Sequence, residues 1–161
     1  MGAFGALRTH LHQTYGRLAL CKVVTLDAGY CSPHNATVIN DAGCSYVLAL
    51  KDSQPNLWRE ARGLLAPLAA AQRPEAKHLE QAHGRWIRCS LWRTQTNGGW
   101  SDWPSLRQAW LVRTEKFAWQ VTPSTNSAPE EIEDHYFITN LEWHRLDGED
   151  ILDIVRGSSK D

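Results

Sequence analysis

Several features are scarce or missing from this 161-residue sequence, and each absence narrows the reading. Its four cysteines, Cys21, Cys31, Cys44 and Cys89, form no CxxC pair, and His10 and His12 are two residues apart, which on a helix points them to different faces. Structural zinc is therefore not expected, and the thiols read as buried and reduced. No apolar run approaches the ~20 residues of a membrane span, and positions 1–8 lack the basic and then apolar pattern of a secretory signal. The expectation is a soluble cytoplasmic chain. Ala6 stands where a myristoylation motif wants Ser or Thr. No Ser, Cys or Lys lies in a recognisable nucleophile motif, and the formal charge of −1 gives no overall attraction for a polyanion.

Periodicity divides what is present into two textures. Phe4, Leu7, Leu11 and Tyr15 recur at helical spacing before Gly16. Leu20–Leu26 is a short β-branched run ended by Asp27-Ala28-Gly29, as in a buried strand. Ser32 as N-cap, Pro33 at the first helical position and Gly43 past the end predict a helix, with a strand at Tyr46–Leu50 after it. Ser53 and Pro55 open a further helix, which Pro67 is expected to bend or end. Strand, helix and strand on such short connections predict a parallel pair with a crossover, and Asp27 then lies at a strand's carboxyl end, where polar groups converge in α/β sheets.

Beyond residue 72 the chain first turns polar, through Ala82. Arg85–Arg93 then alternates, with Ile87, Cys89 and Leu91 on one face and Trp86, Arg88, Ser90 and Trp92 on the other. Asn97-Gly98-Gly99 predicts a turn, Ala109–Phe117 and His135–Leu141 further strands, and Gly148–Arg156 a last helix. Charge is segregated: Arg85 to Lys116 holds six Arg or Lys against Asp102 and Glu115, whereas Glu130 to Asp153 holds nine acids against Arg145. Trp86, Trp92, Trp100, Trp103 and Trp110 lie in the basic stretch, either as stacking platforms for nucleic-acid bases or, the favoured reading for most of them, as core.

Val23-Val24-Thr25-Leu26-Asp27-Ala28-Gly29, then Tyr46–Lys51 and Gln54-Pro55-Asn56-Leu57, then His83-Gly84-Arg85, Asp102-Trp103-Pro104-Ser105-Leu106, Tyr136–Leu141 and Ile151–Gly157 stand in an order and spacing that resembles the DDE-class transposases of bacterial insertion sequences. The resemblance spans most of the chain. It implies an α/β fold: a partial ribonuclease H-like core over 1–72, a largely antiparallel β insertion over 73–145 and a final core helix over 146–161, all in one structural domain. It also implies three acids, two Asp and one Glu, holding two Mg²⁺ or Mn²⁺ ions that activate the attacking oxygen and stabilise the leaving one.

Asp27 corresponds to the second acid. The first belongs to an earlier strand, upstream of Met1, and the Glu follows the position of Gly157, so the expectation is an internal fragment that does not cleave DNA unaided. Ile87 departs from the acid that relatives carry shortly after His-Gly-Arg. The resemblance further implies DNA at transposon ends as partner, with Lys51, His83, Arg85 and Arg88 as candidate contacts. The contrasting reading is a non-enzymatic module that holds a protein partner, a full-length transposase or a second copy of itself, since unpaired sheet edges tend to find something to pair with.

Overall fold

The computed structural model describes residues 23–52, 54–96, 103 and 105–157. The expected helix over 4–15, the start of the first strand at 20–22, Ser53 and the turn at 97–99 lie outside the described residues.

The first strand, β1 (Val23–Leu26), runs into a single 3-10 turn, Ala28–Tyr30, capped by Asp27. Helix α1 (Pro33–Asp41) begins as its signals predict: Ser32 Oγ accepts the Asn35 N–H at 3.1 Å, and proline takes the first turn, where its missing N–H costs nothing. It stops where Gly43 adopts φ +72°, a conformation open to a residue without Cβ. Strand β2 (Ser45–Leu50) follows and pairs parallel with β1, Val24 opposite Tyr46 and Leu26 opposite Leu48.

Helix α2 (Pro55–Ala71) passes through Pro67 to Ala71, so the proline does not end it. Pro67 and Gly63, whose carbonyl loses its partner, both lie on the exposed side, where water can satisfy that oxygen. The opposite stripe, Leu57, Ala61 and Leu65, is buried and holds the helix on the sheet.

Four antiparallel strands follow, β3 (Ala76–Ala82), β4 (Arg85–Gln95), β5 (Gln108–Ala118) and β6 (Glu131–Thr139), and then helix α3 (Gly148–Gly157). Strand β3 comes from the polar stretch that carries no strand signature of its own, and β6 begins four residues earlier than its apolar pattern suggests. Both gain their order from hydrogen bonding to a neighbour rather than from burial of both faces.

The described strands make one six-stranded sheet in the order β1-β2-β6-β5-β4-β3. Because β6 pairs with β2, the sheet of the first half continues directly into the antiparallel region. Strand alternation feeds two apolar layers. On one face Tyr46, Leu48, Ile138, Leu111 and Trp92 pack with Ile39 of α1 and Leu57, Ala61 and Leu65 of α2. On the other, Val47, Trp110, Val112 and Leu91 pack with Ile151, Leu152 and Val155 of α3. No helix among the described residues is long and apolar enough to cross a membrane.

Candidate functional site

Asp27 and Lys51 leave β1 and β2 at the same, carboxyl, edge of the parallel pair. Their side chains meet there, Lys51 Nζ lying 3.7 Å from Asp27 Oδ1, with both groups largely exposed. The same oxygen accepts the Ala28 N–H at 2.6 Å, so the carboxylate also starts the 3-10 turn. Gln54 fixes this edge: its Nε2 donates to the Ala28 and Cys31 carbonyls, both at 3.1 Å, while its Oε1 accepts the Lys51 N–H at 3.4 Å. The sequence showed Gln54 only as one letter of a motif. Its position directly before the helix-opening Pro55 was the only signal the sequence offered.

One exposed carboxylate beside a lysine does not amount to a divalent-cation site. Hard Mg²⁺ wants several converging oxygens, and the adjacent ammonium group competes for the one that is there. Among the described residues no three His, Cys, Asp or Glu side chains converge as metal ligands. Asp27 and Lys51 instead form an exposed ion pair at the ends of the two parallel strands.

The remaining candidates stand at the same end of the sheet but far from this pair. Leu50 is opposite Tyr136, Tyr136 opposite Leu111, and Arg85 opposite Ala118. Seven residues of β5 thus separate the level of Leu50 from that of Arg85, so β4 and β5 project about 24 Å past the end of β2. His83 and Gly84 form the tip. Both have positive φ, 51° and 69°, in a two-residue connection between Ala82 and Arg85, the signature of a type I′ hairpin turn. The His-Gly-Arg motif therefore has a structural role of its own. His83 is exposed, and Arg85 is exposed with one nitrogen 3.3 Å from Glu131.

Arg88 is differently placed. Its Nε and Nη2 bond both oxygens of Glu115, at 2.7 and 3.1 Å, and its Nη1 donates to the Ser124 carbonyl. The guanidinium also stacks on Phe117 at 4.8 Å, so this arginine braces the ribbon and secures the loop after β5.

The charge segregation of the sequence cancels in space. Arg113 meets Asp134 at 2.8 Å, Lys116 meets Glu131 at 3.1 Å, Arg93 meets Glu75 at 2.6 Å and Arg107 meets Glu142 at 3.8 Å. With Arg85 and Arg88, every cation counted in the basic stretch has a carboxylate within ion-pair distance. Strand order explains the Arg113 and Lys116 pairs, since β5 and β6 lie side by side, while Arg88 and Arg93 take carboxylates from outside the acidic stretch. The Asp134 bond holds the Arg113 guanidinium above its ordinary pKa, and the Lys116 bond holds Glu131 below the usual carboxylate range.

Tryptophans of this region serve mainly as core. Trp110 is fully buried and donates to Gln108 Oε1, whose amide donates in turn to the Leu141 carbonyl. Trp92 is buried and donates to the Gln72 carbonyl, Trp86 and Trp103 are half-buried, and Trp100 is outside the described residues. Burial pushes the Cys31 thiol up to about 12 and raises that of Cys89, leaving both as neutral packing groups.

The Thr139-Asn140 landmark is likewise structural. Thr139 Oγ1 donates to the Tyr46 carbonyl at 2.6 Å and Asn140 Oδ1 accepts the Tyr46 N–H at 2.8 Å, which ties β6 to β2. No protein-family model and no curated protein matches the chain.

Proposed function

We propose that this chain is part of a DDE-class DNA transposase and that, by itself, it binds DNA through the carboxyl edge of its parallel strands without cutting it. The observation that carries the reading is Asp27 at the end of β1, one helix away from Lys51 at the end of a parallel β2, held 3.7 Å apart in an exposed position. Four antiparallel strands and a further helix then follow, and the family resemblance reads them as an insertion and the closing core helix. The ribonuclease H-like identity of the first half belongs to this reading, as does Asp27 as the second acid of a metal-binding triad. Strand cleavage needs carboxylates beyond those among the described residues, so no catalytic step is assigned to this chain alone.

Lys51 is the primary phosphate contact, with His83 and Arg85 at the hairpin tip as a second, distant one. Arg88 contributes through the fold, since Glu115 and Ser124 occupy its donors. Fluorescence anisotropy on a random-sequence DNA duplex tests the reading. Binding is expected at low salt and to weaken steeply as salt rises, with log affinity falling by about 0.9 per phosphate contact for each unit of log salt. Lys51→Glu should abolish most of it, and Asp27→Asn, which frees Lys51, should tighten it. No binding at low salt, or binding indifferent to Lys51→Glu, refutes the proposal. Plasmid incubated with the chain in Mg²⁺ or Mn²⁺ should stay intact, and nicking that requires Asp27 would overturn the non-cutting half of the reading.

The non-enzymatic interaction module is the second reading. Among the described residues β3 has no strand on its outer side, which favours it.

A further inference from the structure

We infer that the chain self-associates through β3, two copies pairing antiparallel about a twofold axis at Leu79 so that one sheet runs through both. Strand β3 is the last of the sheet, bonded to β4 over seven residues, and no strand among the described residues lies on its other side. Such an edge presents a row of free N–H and C=O groups to any strand that fits.

The residues on this edge fit a second copy of themselves. Ala76-Lys77-His78-Leu79-Glu80-Gln81-Ala82 has alanine at both ends, a cation and an amide at the next positions, histidine and glutamate inside those, and leucine at the centre. A twofold axis normal to the sheet keeps each face continuous with itself, so only residues that share a face can stand opposite one another. That restricts the registers to those centred on a residue. Centred on Leu79, all seven residues pair: Ala76 meets the partner's Ala82, Lys77 meets the partner's Gln81, His78 meets the partner's Glu80, and the two leucines meet each other. Centring on His78 sets two histidines opposite each other, and centring on Glu80 sets two carboxylates opposite each other. Directly opposed like charges destabilise a strand pair, and each of these registers also shortens the overlap.

The side chains are available for the favoured register. Leu79 is 40% exposed, and Lys77 and Gln81 are exposed on the same face. On the other face Glu80 holds Arg156 at 2.6 Å and lies 3.7 Å from its own His78, so a carboxylate anchored by α3 stands ready for the partner's imidazole. A seven-residue edge contributes a small interface, below the range of about 1,200–2,000 Å² of stable complexes. The dimer is therefore weak and depends on concentration. It does not rest on the primary DNA contact, because β3 occupies the edge opposite β1, and none of the substitutions that test it falls on Lys51, His83 or Arg85.

Cysteine substitution reads the register directly, in a background with Cys21 and Cys44 replaced by serine. Directly opposed strand residues have Cα atoms about 4.5–5.5 Å apart, within disulfide range. Leu79→Cys alone should crosslink two chains under mild oxidation. Lys77→Cys alone and Gln81→Cys alone should not, yet an equal mixture of the two should. Leu79→Lys, which opposes two ammonium groups, should shift sedimentation equilibrium to monomer while the thermal midpoint stays that of the parent. The inference is overturned by a protein that sediments as monomer at every concentration. It is equally overturned if Lys77→Cys or Gln81→Cys crosslinks alone as well as Leu79→Cys does.

Discussion

Gly148, the first residue of α3, gives the sharpest test of the packing. A Cβ placed on it would lie 2.8 Å from the Ala76 Cβ and 3.5 Å from both Glu75 Cγ and Leu91 Cδ2. The nearest atom belongs to a short side chain fixed to a paired strand, so it cannot swing away, and either the helix or the edge strand must shift. Helix propensity predicts the opposite sign, because exchanging Gly for Ala in a helix gains up to about 1 kcal/mol. Overpacking typically costs about 1–3 kcal/mol, which exceeds that gain.

Gly148→Ala should therefore lower the urea midpoint with an unchanged slope, and lower the thermal midpoint by about 2–10 °C. Ala76→Gly removes the very atom that clashes. In the parent it should cost about 0.5–1 kcal/mol, as a glycine in a strand does, but in Gly148→Ala it should restore stability. The coupling in that double-mutant cycle should reach about 1 kcal/mol or more, with opposite effects of Ala76→Gly in the two backgrounds. Should Gly148→Ala match or exceed the parent, or Ala76→Gly cost the same in both backgrounds, the close approach of α3 to β3 is not what the structure describes.

Arg88→Ala strands Glu115 in a site where both side chains are only 15% exposed, and should cost about 2 kcal/mol by chemical denaturation. Lys51→Ala, with its exposed partner, should change stability by less than about 0.5 kcal/mol while weakening DNA binding, so the two residues separate fold from function. At the hairpin tip, His83→Asn should be neutral, whereas His83→Val should cost about 1–2 kcal/mol on the same measurement, since a β-branched residue resists positive φ.

How much was legible in the sequence follows from the range of the forces involved. Ser32, Pro33 and Gly43 fix α1 to the residue because capping acts within one helical turn. The alternation in β4 marks its two faces for the same local reason, and Asp27 and Lys51 were visible as residues at the ends of two short apolar runs. Strand β3 was not legible: its order comes from β4, and one covered face with a polar edge leaves little apolar signal. The helix through Pro67 escaped a rule about local breakage, because Leu57, Ala61 and Leu65 bury a stripe that outweighs one missing bond.

The sequence by itself determined the parallel strand-helix-strand unit, the antiparallel half and the placing of one acid and one lysine at strand ends. Only the tertiary structure decided that these two side chains pair, that His83-Gly84 is a turn and that Arg88 is a brace. It also decided which carboxylate each cation of the basic stretch meets, with Arg85, Arg107, Arg113 and Lys116 drawing theirs from the acidic stretch. Capping and periodicity are set by neighbours a few residues away, whereas strand order brings together groups tens of residues apart, and Coulomb attraction acts on distance in space, not along the chain.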